Sequence, residues 1–208
     1  PFGLRRAAIG TVQPLIEHDL DFDLRAIVEK SAATQPIPVS DEVKSQVLEF
    51  IAGRLKVVLN DAGYKYDVVD AVLAVQSHNP AASARAVRQL MAWVARPDWS
   101  TILPGYARCV RIIRSAKVSE QLSVSSEQLV EPAEKALYQA LSSITQPPST
   151  VDEFLTMVEK LLPAITEFFD KILVMADDPA LKANRLALVG QIANLSAGIA
   201  DLSKLEGF

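Results

Sequence analysis

Three arginines spaced by three, Arg108, Arg111 and Arg114, close a stretch in which positive charge is concentrated. From Ala71 to Lys117 the basic residues are Arg85, Arg88, Arg96, Arg108, Arg111, Arg114 and Lys117, opposed only by Asp98. That stretch carries +6 in a chain of net −4, so the remainder stands at −10. A local basic stripe on an acidic protein suits phosphate contact at one place and argues against indiscriminate coating of nucleic acid. A solvated face that aids solubility is the other reading of the same charges. On a helix a spacing of three drifts slowly around one side, so all three arginines can meet one polyanion.

Other chemistry is thin. The two histidines, His18 and His78, and the single Cys109 show no metal-ligand spacing. His18-Asp19 has the form of the metal-binding pair of HD-class phosphohydrolases, but such a site needs further His and Asp ligands. The bland reading is a helix end whose His and Asp face water. Gly3, Gly10, Gly53 and Gly63 are isolated, so there is no phosphate-cradling loop, and no GxSxG nucleophile is present. No catalytic residue and no metal ligand is therefore expected. One cysteine excludes an internal disulfide and fits a reducing cytoplasm, and no apolar run reaches the roughly 18 residues of a membrane span. The chain begins at Pro1 and reads as a piece of something longer.

The elements that must position these residues are helical. Gly numbers only 8 in 208 residues and Ala, Leu and Val dominate. Leu4, Ala8, Val12 and Leu15 predict a first helix that Pro14 kinks or ends. Asp21 and Asp23 are cap candidates for a second, and residues 34–39, with Pro36 and Pro38, read as a linker. Ser40 caps a third helix with Val43, Val47, Phe50, Ile51, Val58 and Leu59 as its buried stripe and Gly63 as its stop. Asp67 starts the next, and Asn79-Pro80 opens the helix of Arg85 and Arg88. The basic helix runs from about Tyr106 to Lys117, with Pro104-Gly105 near its start and Trp93 and Trp99 flanking the turn before it.

Residues 118–130 read as a Ser- and Gln-rich loop, and Pro132 begins a helix with Leu137, Leu141 and Ile144 inside. Thr150 and Glu153 form a capping box on a long helix that Pro163 interrupts, with Leu162, Ile165, Phe168, Phe169, Ile172 and Leu173 on its core face. Asp178-Pro179 opens the last, carrying Leu181, Leu188, Ile192, Leu195 and Ile199 inward. No sustained alternation marks a strand, so the expected fold is all-α.

Several stretches together resemble one family. FGLRRAAIG, Phe2 to Gly10, is similar to the segment that closes the HD-like part of glycyl-tRNA synthetase β subunits. LEFIAGRLKVVLNDAGYKYDVVDAVLA, Leu48 to Ala74, resembles the family's next block, and YARCVRIIRSA, Tyr106 to Ala116, its basic helix. FFDKILVMADDPALKANRLALV, Phe168 to Val189, resembles its closing signature, shared more loosely with the DALR anticodon-binding domains of arginyl-tRNA synthetases. Arg111 stands where the family usually has Asn.

The resemblance implies a helical bundle with a DALR-like domain, in which residues 1–39 end an HD-like region and residues 40–208 bind an anticodon. It implies a part without an active site of its own, positioning tRNA(Gly) by its anticodon stem-loop for ATP- and Mg2+-dependent aminoacylation at a catalytic α subunit or domain. Arg108, Arg111, Arg114, Arg85 and Arg88 are the expected tRNA contacts. Lys171, Lys182, Asn184 and Arg185 join them from the closing signature, although for Arg185 a packing role through Asp170 or Asp177 is the favoured reading. The competing functions are an arginyl-type anticodon domain and a helical scaffold that binds only protein.

Overall fold

The computed structural model describes residues 2–117 and 123–208, and among these it holds nine α-helices and no strand. Residues 118–122, the first part of the expected loop, lie outside the described residues. The chain divides into two compact units, residues 1–92 with 198–206, and residues 93–197 with 207–208. The boundary expected after Val39 falls inside the first unit, where the first and third helices pack on one another. No helix among the described residues is long and apolar enough to cross a membrane.

The helices start where side chains satisfy the free backbone donors of a first turn. In the first unit these are α1 (Phe2–Glu17), α2 (Leu24–Ala33), α3 (Asp41–Asp61), α4 (Tyr66–Gln76) and most of α5 (Pro80–Val94). The Asp23 carboxylate accepts from Arg25 N–H at 2.9 Å, the Ser40 hydroxyl from Val43 N–H at 3.3 Å, and the Asn79 amide oxygen from Ala82 N–H at 3.1 Å. Gly63 follows α3 at φ +89°, a conformation that lacks penalty only for glycine. Asp67 lies in the first turn of α4, one residue past its Tyr66 start, and is buried. It accepts from Glu206 N–H at 3.0 Å, while Asp201 N–H donates to the Ala71 carbonyl at 2.8 Å. These bonds tie residues 198–206 to α4, and Ile199, expected on the last helix, is buried here instead.

The second unit consists of α6 (Trp99–Ala116), α7 (Pro132–Ser142), α8 (Val151–Lys171) and α9 (Pro179–Ala193). Thr150 accepts from Glu153 N–H at 3.2 Å, and Asp178 accepts from Ala180 N–H at 2.8 Å and Leu181 N–H at 3.1 Å. α6 packs on α8 and α9, and α7 on the same two helices. Tyr106 and Phe154 meet edge to face with centroids 5.2 Å apart at the α6–α8 crossing, and both are buried. Gly105 lies next to Tyr106 on α6, where an added Cβ would meet the end of the Leu162 side chain of α8.

Three sequence expectations are corrected. Pro14, Pro104 and Pro163 lie inside α1, α6 and α8 rather than ending or interrupting them, so the basic helix begins at Trp99. Each proline is on the solvent side, where water can replace the missing backbone donor. Buried neighbours such as Leu103 and Tyr106, or Leu161 and Ile165, hold the helix on either side. The covered stripe of α3 carries Leu55 and Leu59, while Val43, Val47 and Phe50 are exposed. On α8, Phe168 is buried but Phe169 is only half-buried and Leu173, beyond the helix end, is exposed.

Phe154 is fully buried among aromatic and aliphatic neighbours, so truncating it leaves a cavity at the α6–α8 crossing. Phe154→Ala is expected to destabilise the second unit by about 3–5 kcal/mol. Urea unfolding followed by circular dichroism measures this, and a loss below about 1 kcal/mol would contradict the assignment of Phe154 to the core.

Candidate nucleic-acid interface

α6 has two characters. Ile102, Leu103, Tyr106, Ala107 and Cys109 are buried, while Arg108, Arg111 and Arg114 are exposed. Burial pushes the Cys109 thiol up to about 12, so at neutral pH it is a packing group and not a nucleophile. The Tyr106 hydroxyl bonds the Ala193 carbonyl at 2.8 Å and Ser196 Oγ at 2.9 Å, which fixes the helix against the end of α9.

The three arginines divide between two aromatic rings. The Arg108 guanidinium lies over Phe169, 4.6 Å from the ring centroid, with the Asp170 carboxylate at 3.9 Å. Arg111 and Arg114 lie over Phe208, at 5.5 and 6.0 Å. Both rings are half-buried. The Arg108–Asp170 pair is exposed on both sides and screened by water and salt, so it leaves the guanidinium available. Arg111 has no carboxylate partner among the described residues. Sequence reading missed Phe208, which follows Gly207 outside any periodic pattern, and placed Phe169 in the core.

Three of the other basic candidates, Arg85, Arg96 and Lys171, are engaged elsewhere. Arg85, in the first unit, is paired to Asp19 and to Asp21 at 2.7 Å, and its guanidinium holds the Asp21 carboxyl below its usual range. Asp19, of the His18-Asp19 pair, is thereby a partner of arginine, and no cluster of three or more His, Cys, Asp or Glu suited to a metal ion occurs among the described residues. Arg88 is exposed in the same unit with no ion pair among the described residues. Arg96 is clamped between Asp98 and Glu159, each at 2.5 Å, and lies 4.1 Å over Trp93. Trp93 is buried, donating its indole N–H to Asp152 at 2.8 Å, and Trp99 is half-buried. Lys171 pairs with Glu167 at 2.6 Å one turn back on α8, and Lys182 is half-buried near the start of α9.

Asn184 and Arg185, expected at the tRNA surface, face inward. Asn184 is buried and spends both ends of its amide on Ser125, accepting from its N–H at 2.7 Å and donating to its carbonyl at 3.1 Å. Arg185 donates from Nε to Glu134 at 2.5 Å and from Nη1 to the Leu173 carbonyl at 3.0 Å. Its packing partner is thus Glu134, not Asp170 or Asp177. The Glu134 side chain is 1% exposed and that of Arg185 11%. The other Glu134 oxygen accepts from Val130 N–H at 2.7 Å and Glu131 N–H at 2.9 Å, where α7 begins. Burial alone would raise the Glu134 carboxyl, but the Glu131 N–H, the Arg185 guanidinium and the Val130 N–H outweigh it and hold it below 4.5.

A carboxyl lowered in the fold stabilises it above its unfolded value and loses that contribution as pH falls through the lowered one. Arg185→Ala leaves Glu134 buried without its cation and is expected to cost about 3–5 kcal/mol. Thermal unfolding of Glu134→Gln between pH 7 and pH 2 is expected to show a shallower acid-side loss below pH 4.5 than the parent chain. Superimposable profiles would remove Glu134 from the acid response.

Comparison with known proteins accords with this division of the chain. Residues 1–74 match the family described as glycyl-tRNA synthetase beta subunit, and residues 102–202 match the DALR anticodon binding domain. The glycine–tRNA ligase beta subunit of Rhodospirillum centenum is 32% identical over 219 residues, covering 100% of this chain and 31% of that protein. That of Sulfurihydrogenibium is 33% identical over 211 residues, covering 100% and 29%. The chloroplastic/mitochondrial glycine–tRNA ligase 2 of Arabidopsis thaliana is 33% identical over 211 residues, covering 100% and 20%. The chain thus spans a third or less of the length of these relatives. With α6 to α9 arranged as an all-helical DALR domain, the chain belongs to the glycyl-tRNA synthetase β-subunit family.

Proposed function

We propose that this chain is the part of a glycine–tRNA ligase that binds the anticodon stem-loop of tRNA(Gly), and that α6 supplies the contact surface. The observation that carries the reading is the exposure of Arg108, Arg111 and Arg114 along one helix of the DALR domain, each over an aromatic ring. Arg85, Arg96 and Arg185 are taken up by carboxylates. Arginine suits this task because its planar, weakly hydrated guanidinium can fork onto a phosphate or lie flat on a base. Phosphate contacts would set the register of the stem-loop, and unpaired bases would be read by stacking and edge hydrogen bonds.

Aminoacylation itself, with ATP and Mg2+, belongs in this reading to a catalytic α subunit or domain, in the cytoplasm or an organelle that charges its own tRNA. The described residues contribute position and affinity.

The test is binding of the chain to a tRNA(Gly) transcript and to one with both anticodon cytosines replaced, across a salt series. The native transcript is expected to bind at least tenfold more tightly. Replacing Arg108, Arg111 and Arg114 together with Gln is expected to flatten the plot of log affinity against log salt by about 2, at roughly 0.7 per single-strand phosphate contact. Equal binding of both transcripts with an unchanged slope would remove α6 from the interface.

A further inference from the structure

Each exposed arginine of α6 has a ring beneath it, and this arrangement reaches beyond charge. Along a helix of 1.5 Å rise per residue, Arg108 and Arg111 are about 4.5 Å apart on the axis and Arg108 and Arg114 about 9 Å. Six residues at 100° per residue also turn Arg114 about 120° away from Arg108 around the helix. The two rings follow that divergence, with Phe169 under Arg108 and Phe208 under Arg111 and Arg114. Two separate stations result. They are wider apart than the ~3.4 Å rise of neighbouring bases in a stacked strand, so the spacing suits bases pulled out of the stack.

A ring behind a guanidinium restricts it. Arginine on a flexible stem loses rotamer freedom when it binds, and a cation–π contact made beforehand lowers that cost. The outward face of the guanidinium can lie against a base, and its N–H fork can reach a base edge or phosphate. Resting on the reading above, we propose that Phe169 and Phe208 are positioning residues that hold Arg108 and Arg111 as two stacking platforms for unpaired nucleotides of the RNA loop. Neither ring need carry charge or touch phosphate to do this.

The role is separable from phosphate binding, because removing a ring changes no charge. The probe is a synthetic RNA hairpin with the glycine anticodon loop and 2-aminopurine at single loop positions, titrated with the whole chain. Phe208→Leu and Phe169→Leu are each expected to weaken binding about five- to hundredfold, with the slope of log affinity against log salt unchanged. Each is also expected to abolish the quenching of 2-aminopurine at one loop position only. Phe208→Tyr restores a ring and is expected to restore both affinity and quenching. Arg111→Lys keeps the charge but not the plane, and is expected to lose quenching at the Phe208 position alone.

Parent-like affinity and quenching in both leucine variants would overturn the proposal. If the triple arginine variant still flattened the salt slope, the reading of α6 as a phosphate-binding surface would survive that result. A leucine variant that lowered affinity and salt slope together, with no rescue by Tyr, would also overturn it, since the ring would then act through the fold. A parent chain that did not bind the hairpin at low salt would overturn both readings.

Discussion

The second unit is organised around one buried ion pair. Glu134 and Arg185 bring opposite charges 2.5 Å apart into a region where the Glu134 side chain is almost fully covered. Such a pair is tolerated only when its remaining donors and acceptors are satisfied, and here they are. One carboxylate oxygen takes the two N–H groups at the start of α7, and the guanidinium also reaches the carbonyl of Leu173, just past α8. A single contact therefore ties the beginning of α7, the end of α8 and the middle of α9 together. Asn184 lies one residue earlier and 100° around the helix, and it ties down Ser125. α9 is consequently enclosed on several sides, with Leu186, Ala187, Leu188, Val189 and Ile192 all buried, and lacks the one-sided pattern of a surface helix.

The position of α6 follows from that hub. It packs on α8 and α9, and Tyr106 is bonded to the end of α9. Only its outward side remains for arginine. The aromatic supports come from elements fixed by the same packing: Phe169 precedes the α8 terminus by two residues, and its neighbour Phe168 is fully buried beside it. The guanidinium over Phe169 is thus held by a ring that is itself anchored through the core. Two residues that resembled tRNA contacts in sequence, Asn184 and Arg185, spend their polar groups on packing within the second unit instead.

What could be read from sequence and what could not separate along physical lines. Local interactions were legible: Asp23, Ser40, Asn79, Thr150 and Asp178 all cap the helices they were expected to cap, because a cap depends on residues within three positions. Prolines misled, since their effect depends on which side of the helix they occupy, and Pro14, Pro104 and Pro163 all face water. The α3 stripe misled because two apolar stripes were available and neighbouring helices chose the one with Leu55 and Leu59. The partner of Arg185 was out of reach for another reason. Glu134 is 51 residues away, while Asp170 and Asp177 were nearer in sequence and equally charged. At the candidate interface the arginines were legible from charge and spacing, but the rings beneath them were not.

Placing the arginines on a helix rather than a loop has a mechanical consequence. Between Arg108 and Arg111 stands Cys109, fully buried, and just before Arg108 come Tyr106 and Ala107, both buried. The same backbone that carries the contacts is therefore clamped to the core within one turn, and an arginine cannot shift without disturbing packed side chains. Discrimination between nucleotides requires such rigidity. A platform free to follow its ligand stacks on any base, whereas one held in place leaves the wrong base with unpaired edge groups and no compensating movement. Long-range attraction adds little selectivity here, because net charge draws any polyanion to the basic stretch regardless of its sequence, and the rest of the chain is at −10. In the proposed reading, selectivity among RNA loops would then arise at close range, on the few ångströms between a supported guanidinium and the base laid against it.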